Sequence, residues 1–301
     1  MPPFACPPRK AWDPTSADRP AWDEIGKGWQ LHCIRGRSRW ACPPPLRAAW
    51  LAIVCTVILL RRPDDPWPTI IAANRDERLD RVWDPPAAWW PDRPGVVGGR
   101  DRTAGGTWMA VNGTGVFAAV LNRPGSLGPA PGKRSRGELP LLALESDSAA
   151  AAARRLTALP ADEWRPFNLL VADRRTASFL RGTGAGRPEA VPLPAGISMV
   201  TAHDPNDMAS PRTRRHLPRF RTADPPAPDR NDWTSWEALL ADDGYEESVA
   251  EALRVPPVGG FGTVCASLLA IGADGTLIWR FANGPAGAAP FRPVALEPLA
   301  A

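Results

Sequence analysis

The chain has 301 residues, and 44% of them are hydrophobic, which is enough for a substantial core in one large domain or two small ones. The formal net charge of +4 comes from residues 1–54, which hold eight Lys/Arg and four Asp/Glu and leave 28 of each in the rest of the chain. Because the body is formally neutral, it lacks a basic surface for nucleic acid, and no nucleic-acid partner is expected.

Residues 1–54 do not have the pattern of a folded domain. They contain nine prolines, five tryptophans and three cysteines without apolar periodicity. High Pro, Ala and Arg content indicates a GC-rich coding region, in which Val54 would be a GTG start codon and Cys55 the first residue after methionine removal. Two alternatives stay open: a propeptide cut autocatalytically before Cys55, and a genuine extension that keeps Cys55 within the chain. We divide the chain into a non-domain leader, 1–54, and a single domain, 55–301.

The uncharged, mostly apolar run at 48–60 is too short for a membrane span, since a spanning helix needs about 20 residues. A signal peptide is also disfavoured, because no small-residue cleavage site follows the run. Without the leader only Cys55 and Cys265 remain, which is no disulfide framework. A reducing cytoplasm is therefore the expected location.

The segment 55–77 predicts a β-hairpin with polar groups at its open end. Residues 55–62 and 69–73 are apolar runs on either side of turn residues, and Asn74, Arg75, Asp76 and Glu77 follow the second run. Antiparallel strands return the chain to its starting edge, so we expect this polar segment to lie beside Cys55.

The rest of the body predicts strands in pairs, then helices, then strands again. The Trp- and Pro-rich segment 82–94 indicates a loop over the core, and Asn112-Gly113 joins two strands of a hairpin that ends at Asn122. Ser135 and Glu138 have the spacing of a capping box for a helix at 136–145. Further helices are predicted at 148–158, 232–242 and 246–253, and strands at 167–172, 177–181, 197–202, 263–271 and 276–281. This order favours an α+β fold with two antiparallel sheets flanked by helices.

A cysteine at a free N-terminus carries its own base. The α-amino group, with a pKa of about 7.7 to 8.0, can take the thiol proton of Cys55 directly or through one water. We expect Asp76 to orient that amine, Arg75 to favour the thiolate and Asn122 to stabilise the oxyanion. His203 and His216 lack companions with metal-ligand spacing, so neither a metal nor another cofactor is expected.

Several spaced motifs resemble the NRDE family, also called the transport-and-Golgi-organisation-2 family. They are Cys55 with the following apolar strand, Asn74-Arg75-Asp76-Glu77, Gly98-Gly99-Arg100-Asp101, Gly105-Gly106-Thr107-Trp108, Leu121-Asn122-Arg123, Ser135-Arg136-Gly137-Glu138 and Phe167-Asn168-Leu169-Leu170. The resemblance implies the four-layer αββα sandwich of N-terminal-nucleophile (Ntn) hydrolases. It also implies a substrate site that includes Asn74, Arg123, Arg136, Asn168 and His203.

The stretch 115–125 is also similar to the one that carries the oxyanion asparagine in cysteine Ntn amidases of the penicillin V acylase and bile-salt hydrolase type. Two positions differ from that pattern. Ala73 stands where those amidases have a catalytic arginine, and His203 stands where they have a later asparagine. Arg75 is the candidate substitute for the first, and His203 or Asn206 for the second.

The sequence and the family resemblance leave two alternative functions, one catalytic and one not. The first is a cysteine Ntn-type hydrolase that acts on a small amide or acyl substrate, with Cys55 as nucleophile. The second is a non-catalytic binder or carrier of a haem-like or lipid-like ligand in the same pocket, as the family resemblance implies. In both cases the expected partner is a small molecule, and the sequence does not determine the oligomeric state.

Overall fold

A computed structural model describes residues 55–296. The predicted leader and the proposed start at Val54 lie outside the described residues. In chain order the strands are β1 Thr56–Arg61, β2 Thr69–Arg78, β3 Trp83–Ala87, β4 Val97–Asp101, β5 Thr107–Val111, β6 Phe117–Asn122, β7 Phe167–Ala172, β8 Ala177–Gly182, β9 Glu189–Pro192, β10 Gly196–Val200, β11 Phe261–Ile271, β12 Leu277–Ala282 and β13 Phe291–Pro293. The helices are α1 Glu138–Ala143, α2 Ala149–Thr157, α3 Pro211–Thr222 and α4 Thr234–Leu240.

The strands form two antiparallel sheets. Sheet A has the order β10-β1-β2-β11-β12-β13, and sheet B runs from β3 to β9 in sequence order. In sheet A, β1 and β2 make the predicted hairpin, and the much later strands β10 and β11 flank it on either side. The strand that follows Cys55 is therefore an interior strand of its sheet.

The protein has four layers, which are two facing sheets and a layer of helices on the outer side of each. Side chains alternate along each strand between the core shared by the sheets and the core under the helices. In sheet A, Leu59 and Ile71 face sheet B across a shared core, whereas Ile58 and Ile70 face a second core beneath α3 and α4. In sheet B the outward side chains pack against α1 and α2. Both faces of β1 and β2 are buried, which explains their continuous apolar sequences. The predicted four-layer αββα sandwich, with two antiparallel sheets flanked by helices, is confirmed.

Most of the predicted elements are present, but the segment 82–94 was wrongly predicted as a loop. Within it, Trp83–Ala87 forms β3 at the edge of sheet B and pairs irregularly with β4. Pro85 and Pro86 are compatible with this strand because an edge strand does not need every backbone N–H for pairing. The second strand of the first hairpin is also longer than predicted, since β2 continues through the polar segment to Arg78.

Two helix predictions need correction, and one helix was missed. The Ser135 side chain does not cap α1: it accepts from Gly137 N at 3.2 Å, and the helix begins at Glu138 without a side-chain cap. The helix predicted at 246–253 is only a 3-10 turn, Val249–Glu251, with a capping box of its own from Ser248. α3 was not predicted, although Ser210 caps it in the expected manner and proline occupies its first turn. Among the helices in the described range, none has the length and apolarity of a membrane span.

Candidate active site

The Cys55 thiol lies where β1 begins, beside the polar segment of β2. Thr56 pairs with Asn74, so Cys55 stands opposite Arg75. The Sγ atom of Cys55 donates to the backbone carbonyl of Asp76 at 3.6 Å. The expectation that the polar segment returns to Cys55 is therefore confirmed.

The two faces of β2 separate the polar segment into two groups. Arg75 shares the face of Cys55 and lines the space between the sheets, whereas Asp76 points into the helical layer. There its carboxylate accepts from Arg212 Nη1 at 2.8 Å and from Thr263 Oγ1 at 2.6 Å. Arg212 Nη1 also donates to Thr56 Oγ1 at 2.9 Å. This buried ion pair ties α3 to the first residue of β1 and holds the strand next to Cys55.

The Asn74 side chain also faces the helical layer. Its amide nitrogen donates to the carbonyls of Leu240 at 2.9 Å and Leu253 at 3.0 Å. These bonds hold the end of α4 and the chain near residue 253 against sheet A. A contact between Asn74 and substrate, as the family resemblance implied, would have to come from its backbone.

Arg75 is held between aromatic rings at the edge of the space between the sheets. Its guanidinium lies 4.2 Å from the Trp108 ring centroid and 5.8 Å from that of Trp83, and the two rings meet edge to face. Nη2 reaches Glu77 Oε2 at 3.4 Å, while Nη1 is buried and has no hydrogen-bond partner among the described residues. The plane of the guanidinium is thus fixed beside the thiol.

A cavity of about 20 Å³ opens between the sheets at this point. Its lining includes Cys55, Arg75, Trp108, Leu121, Cys265 and Ser267. This volume is room for about one water molecule. Cys265, predicted as a buried small hydrophobe, is indeed buried, and it lies across β2 from Cys55 because it pairs with Arg75.

The surroundings of Cys55 favour the neutral thiol. Burial raises the pKa of Cys55 to about 11, the Asp76 carboxylate acts in the same direction, and the Arg75 guanidinium acts against both. Burial likewise raises the pKa of Asp76, although Arg212 and Thr263 oppose that shift. At neutral pH the thiol therefore holds its proton and needs a base before it can act as a nucleophile.

Glycine motifs that are far apart in the sequence meet around Trp108. A Cβ at Gly99 would lie 2.1 Å from the Trp108 ring, and a Cβ at Gly106 would lie 2.5 Å from the backbone of Gly137. Thr107 N donates to Gly137 O at 2.9 Å. Because Gly99 and Gly106 have no side chains, the Trp108 ring can approach β4 closely and the backbone at Gly137 can approach the start of β5.

The Arg136 side chain secures the loop at 123–128. Its Nη1 donates to the carbonyl of Ser126 at 2.6 Å, to Ser126 Oγ at 2.9 Å and to the carbonyl of Pro166 at 3.2 Å. Burial and the neighbouring Arg165 lower the pKa of Arg136 to about 10, while Glu77 and Cys55 act in the opposite direction. Arg136 is thus within electrostatic range of the thiol, and its direct contacts support the loop.

Arg123, Asn168 and His203 form a polar junction between the sheets. Arg123 Nη1 donates to Asn168 Oδ1 and, at 2.8 Å, to Asp204 Oδ1. The Asn168 amide nitrogen donates to the carbonyls of Thr201 and His203, both at 2.8 Å. These contacts join β6 and β7 to the chain that follows β10. The substrate-binding roles of the three residues stay predictions.

Asn122 occupies the last position of β6, where it pairs with Phe167. The Phe167 side chain belongs to the core under α1 and α2, whereas Leu121 belongs to the core between the sheets. Alternation along β6 therefore directs Asn122 to the face opposite the cavity. An oxyanion contact from the Asn122 side chain stays a prediction and would require β6 to turn at its end.

Sequence reasoning missed Arg212, Thr263 and Trp108 as parts of the site. The Ser210-Pro211 pair is a helix-start signal that could have predicted α3, but not the contact of Arg212 with Asp76, which lies 136 residues earlier. Thr263 comes from β11, 187 residues after Asp76, and gives no local signal.

The fold resembles those of many solved structures, two of which are described here. The N-acylethanolamine-hydrolyzing acid amidase ortholog of Caenorhabditis elegans is 12% identical, with a TM-score of 0.45 over 71% of this chain and 92% of that one. A mutant of the conjugated bile acid hydrolase from Clostridium perfringens is 10% identical, with a TM-score of 0.42 over 81% of this chain and 97% of that one. No curated protein matches the sequence. The family model described as Transport and Golgi organisation 2 matches residues 54–217, and the chain belongs to that family.

Proposed function

We propose that the protein is a cysteine hydrolase of the N-terminal-nucleophile type that acts on a small amide or acyl substrate, with Cys55 as its nucleophile. The observation that carries this proposal is the position of the Cys55 thiol, which lies at the start of an interior strand and opens into a cavity beside Arg75. The αββα architecture, with this cysteine at the start of an interior strand, supports the same class of chemistry.

The protonation state of the thiol supports a mature chain that begins at Cys55. A thiol with its pKa raised to about 11 needs a base, and the base must lie close to it. Neither His203 nor His216 lines the cavity. The α-amino group of an N-terminal Cys55 meets the requirement, because it is attached to the same residue and titrates near neutral pH. We therefore propose a mature domain of residues 55–301 without the leader. We also propose the cytoplasm as its location, because Cys55 and Cys265 are free thiols.

The reaction proceeds in two steps. The amine takes the thiol proton as Sγ attacks the substrate carbonyl carbon, and the carbonyl π electrons move to its oxygen. Collapse of this intermediate breaks the bond to the leaving amine or alcohol, which receives the proton, and leaves a thioester on Cys55. Water then attacks the thioester, gives a proton back to Sγ and releases the acid.

The size of the cavity favours a small acyl group. A space of about 20 Å³ holds one water, so an acetyl-sized group can enter by displacing it with modest adjustment of the lining. A haem-like or long-chain ligand would need several hundred Å³ in the same place. This comparison supports the hydrolase over the carrier.

The test is acylation of protein expressed from the native gene with its own upstream region. Its mass should correspond to a chain that begins at Cys55, and p-nitrophenyl acetate should release a burst of p-nitrophenol while adding one acetyl group to Cys55. The Cys265→Ser variant is the matched control and should give the same burst. Intact residues 1–54 in the isolated protein, or acetylation elsewhere, would refute the proposal, and haem binding without acetylation would support the carrier.

A further inference from the structure

Arg75 lies beside the proposed nucleophile on the same face of sheet A. It stands between Cys55, which immediately precedes β1, and Cys265 on β11. Directly opposed residues of antiparallel strands have Cα atoms about 4.5 to 5.5 Å apart. A substrate carbonyl attacked by the Cys55 thiol would therefore lie within reach of the guanidinium.

The guanidinium is held in a fixed orientation before any substrate arrives. Trp108 and Trp83 pack against it, and the missing side chain at Gly99 makes room for the Trp108 ring. The Arg75 side chain is only 5% exposed. A preorganised donor stabilises a developing charge without the cost of reorganisation during the reaction.

One donor of Arg75 is unused. Nη1 is buried without a hydrogen-bond partner among the described residues, and Nη2 has only a long contact to Glu77, whose carboxylate also lies 3.7 Å from Arg81. A buried donor without a partner costs about 1 to 3 kcal/mol, more when it is charged. A catalytic role is one explanation for a buried donor of this kind, and the adjoining cavity has room for one oxygen atom.

The residue expected from sequence to stabilise the oxyanion, Asn122, is not among the residues that line this cavity. Asn122 follows the alternation of β6 to the opposite face, together with its partner Phe167. Arg75 lines the cavity, and its Nη1 has no hydrogen-bond partner within residues 55–296. The two observations point to the same assignment.

We propose that Nη1 of Arg75 binds the substrate carbonyl oxygen and stabilises the negative charge that develops on it when Cys55 attacks. This inference rests on the proposed hydrolase function and assigns the oxyanion contact within that site. As the Sγ–C bond forms, the carbonyl π electrons move to the oxygen, which then accepts a charge-assisted hydrogen bond from Nη1. The bond is strongest in the intermediate, so it lowers the barrier more than it tightens substrate binding.

Arg75→Met and Arg75→Lys test the assignment in protein expressed from the native gene, with p-nitrophenyl acetate as the probe. Arg75→Met should lower kcat by about 10²- to 10³-fold with little change in KM, the usual effect of removing one oxyanion donor. Arg75→Lys keeps a charged donor and should recover part of the rate. Arg100→Met is the matched control, because Arg100 stacks on Trp89 at 4.4 Å and pairs with Asp84 outside the cavity.

The outcomes distinguish this inference from the proposed function. If wild type and Arg75→Met both acetylate Cys55 at the same rate, the hydrolase stands and the assignment of Arg75 is wrong. A raised KM with unchanged kcat would also overturn it, since that pattern indicates ground-state binding alone. Melting curves identify a variant that has failed to fold. If Arg75→Met does not fold, the rate of Arg75→Lys decides: a kcat between those of wild type and Cys55→Ser at unchanged KM supports the assignment, and a kcat equal to wild type overturns it.

Discussion

Asp76 contacts Cys55 through its backbone and Arg212 through its side chain. Its carbonyl oxygen lies 3.6 Å from Cys55 Sγ on one side of sheet A, and its carboxylate lies 2.8 Å from Arg212 Nη1 on the other. One residue thus couples the position of the thiol to a buried ion pair in the helical layer. Changes to that ion pair should therefore affect both stability and turnover.

Cys55→Ser should abolish most turnover while ligand binding persists. Serine differs from cysteine by one atom and keeps a hydrogen-bond donor in this position, but the much higher pKa of its hydroxyl makes it a far weaker nucleophile. Steady-state hydrolysis of p-nitrophenyl acetate measures the loss, and Cys265→Ser, which alters the other thiol in the cavity, should stay close to wild type. Equal turnover in the Cys55→Ser variant would show that another group performs the reaction.

Asp76→Asn should lower both the melting temperature and turnover. It leaves the buried guanidinium of Arg212 without its carboxylate, and breaking a buried pair costs about 3 to 5 kcal/mol. The double variant Asp76→Asn, Arg212→Met should lose less than the sum of the two single losses, because the two residues interact directly. Urea denaturation measures these differences. The exposed pair of Arg78 and Asp80 supplies the control, since Asp80→Asn should leave stability near that of wild type.

His216 should make the protein less stable in acid. Burial lowers its pKa to about 4, and the neighbouring Arg219 and Arg212 act in the same direction. The unfolded state, with an ordinary pKa near 6.5, binds a proton before the folded state does, so stability falls as pH drops from 6.5 towards 4, by roughly 3 kcal/mol in all.

The matched variant for this titration is His216→Gln, which keeps a donor for the Glu251 carbonyl that now lies 2.9 Å from His216 Nε2. Its free energy of unfolding should fall less steeply over the same pH range. Parallel curves for the two proteins would contradict the assignment of this acid sensitivity to His216.

Gly99→Ala should displace Trp108 and loosen Arg75. The new methyl group would lie 2.1 Å from the indole ring, so the ring must move, and overpacking of this kind typically costs about 1 to 3 kcal/mol. We expect a lower melting temperature together with slower acetylation of Cys55. Gly113→Ala is the control, because its nearest neighbour would be 3.9 Å away and its backbone is not in the left-handed region. Acetylation of Cys55 at the wild-type rate in Gly99→Ala would show that the position of Trp108 does not affect the reaction.

Local patterns in the sequence predicted the hairpin of β1 and β2 and the approach of its polar end to Cys55. They did not indicate the face on which Asn122 lies, because β6 is apolar on both sides, as Phe117, Ala118 and Ala119 illustrate. α3 was missed because its sequence is polar and contains Pro218, so its apolar stripe is short. The partners of Asp76 come from distant elements, and no local pattern records such a contact.

The pairing of β2 with β11 also affects how the protein folds during its synthesis. Residues near the start of the domain become neighbours of residues that emerge from the ribosome almost 200 positions later, and such long-range pairing forms slowly. During synthesis the first hairpin lacks one of its flanking strands until Phe261–Ile271 has been made. Only then does the Asp76 carboxylate gain its hydrogen bond from Thr263. The cavity wall formed by Cys265 and Ser267 is also absent until that point. A nascent chain therefore carries Cys55 long before the cavity beside it is complete, and a chain shortened before β11 would lack this wall of the cavity.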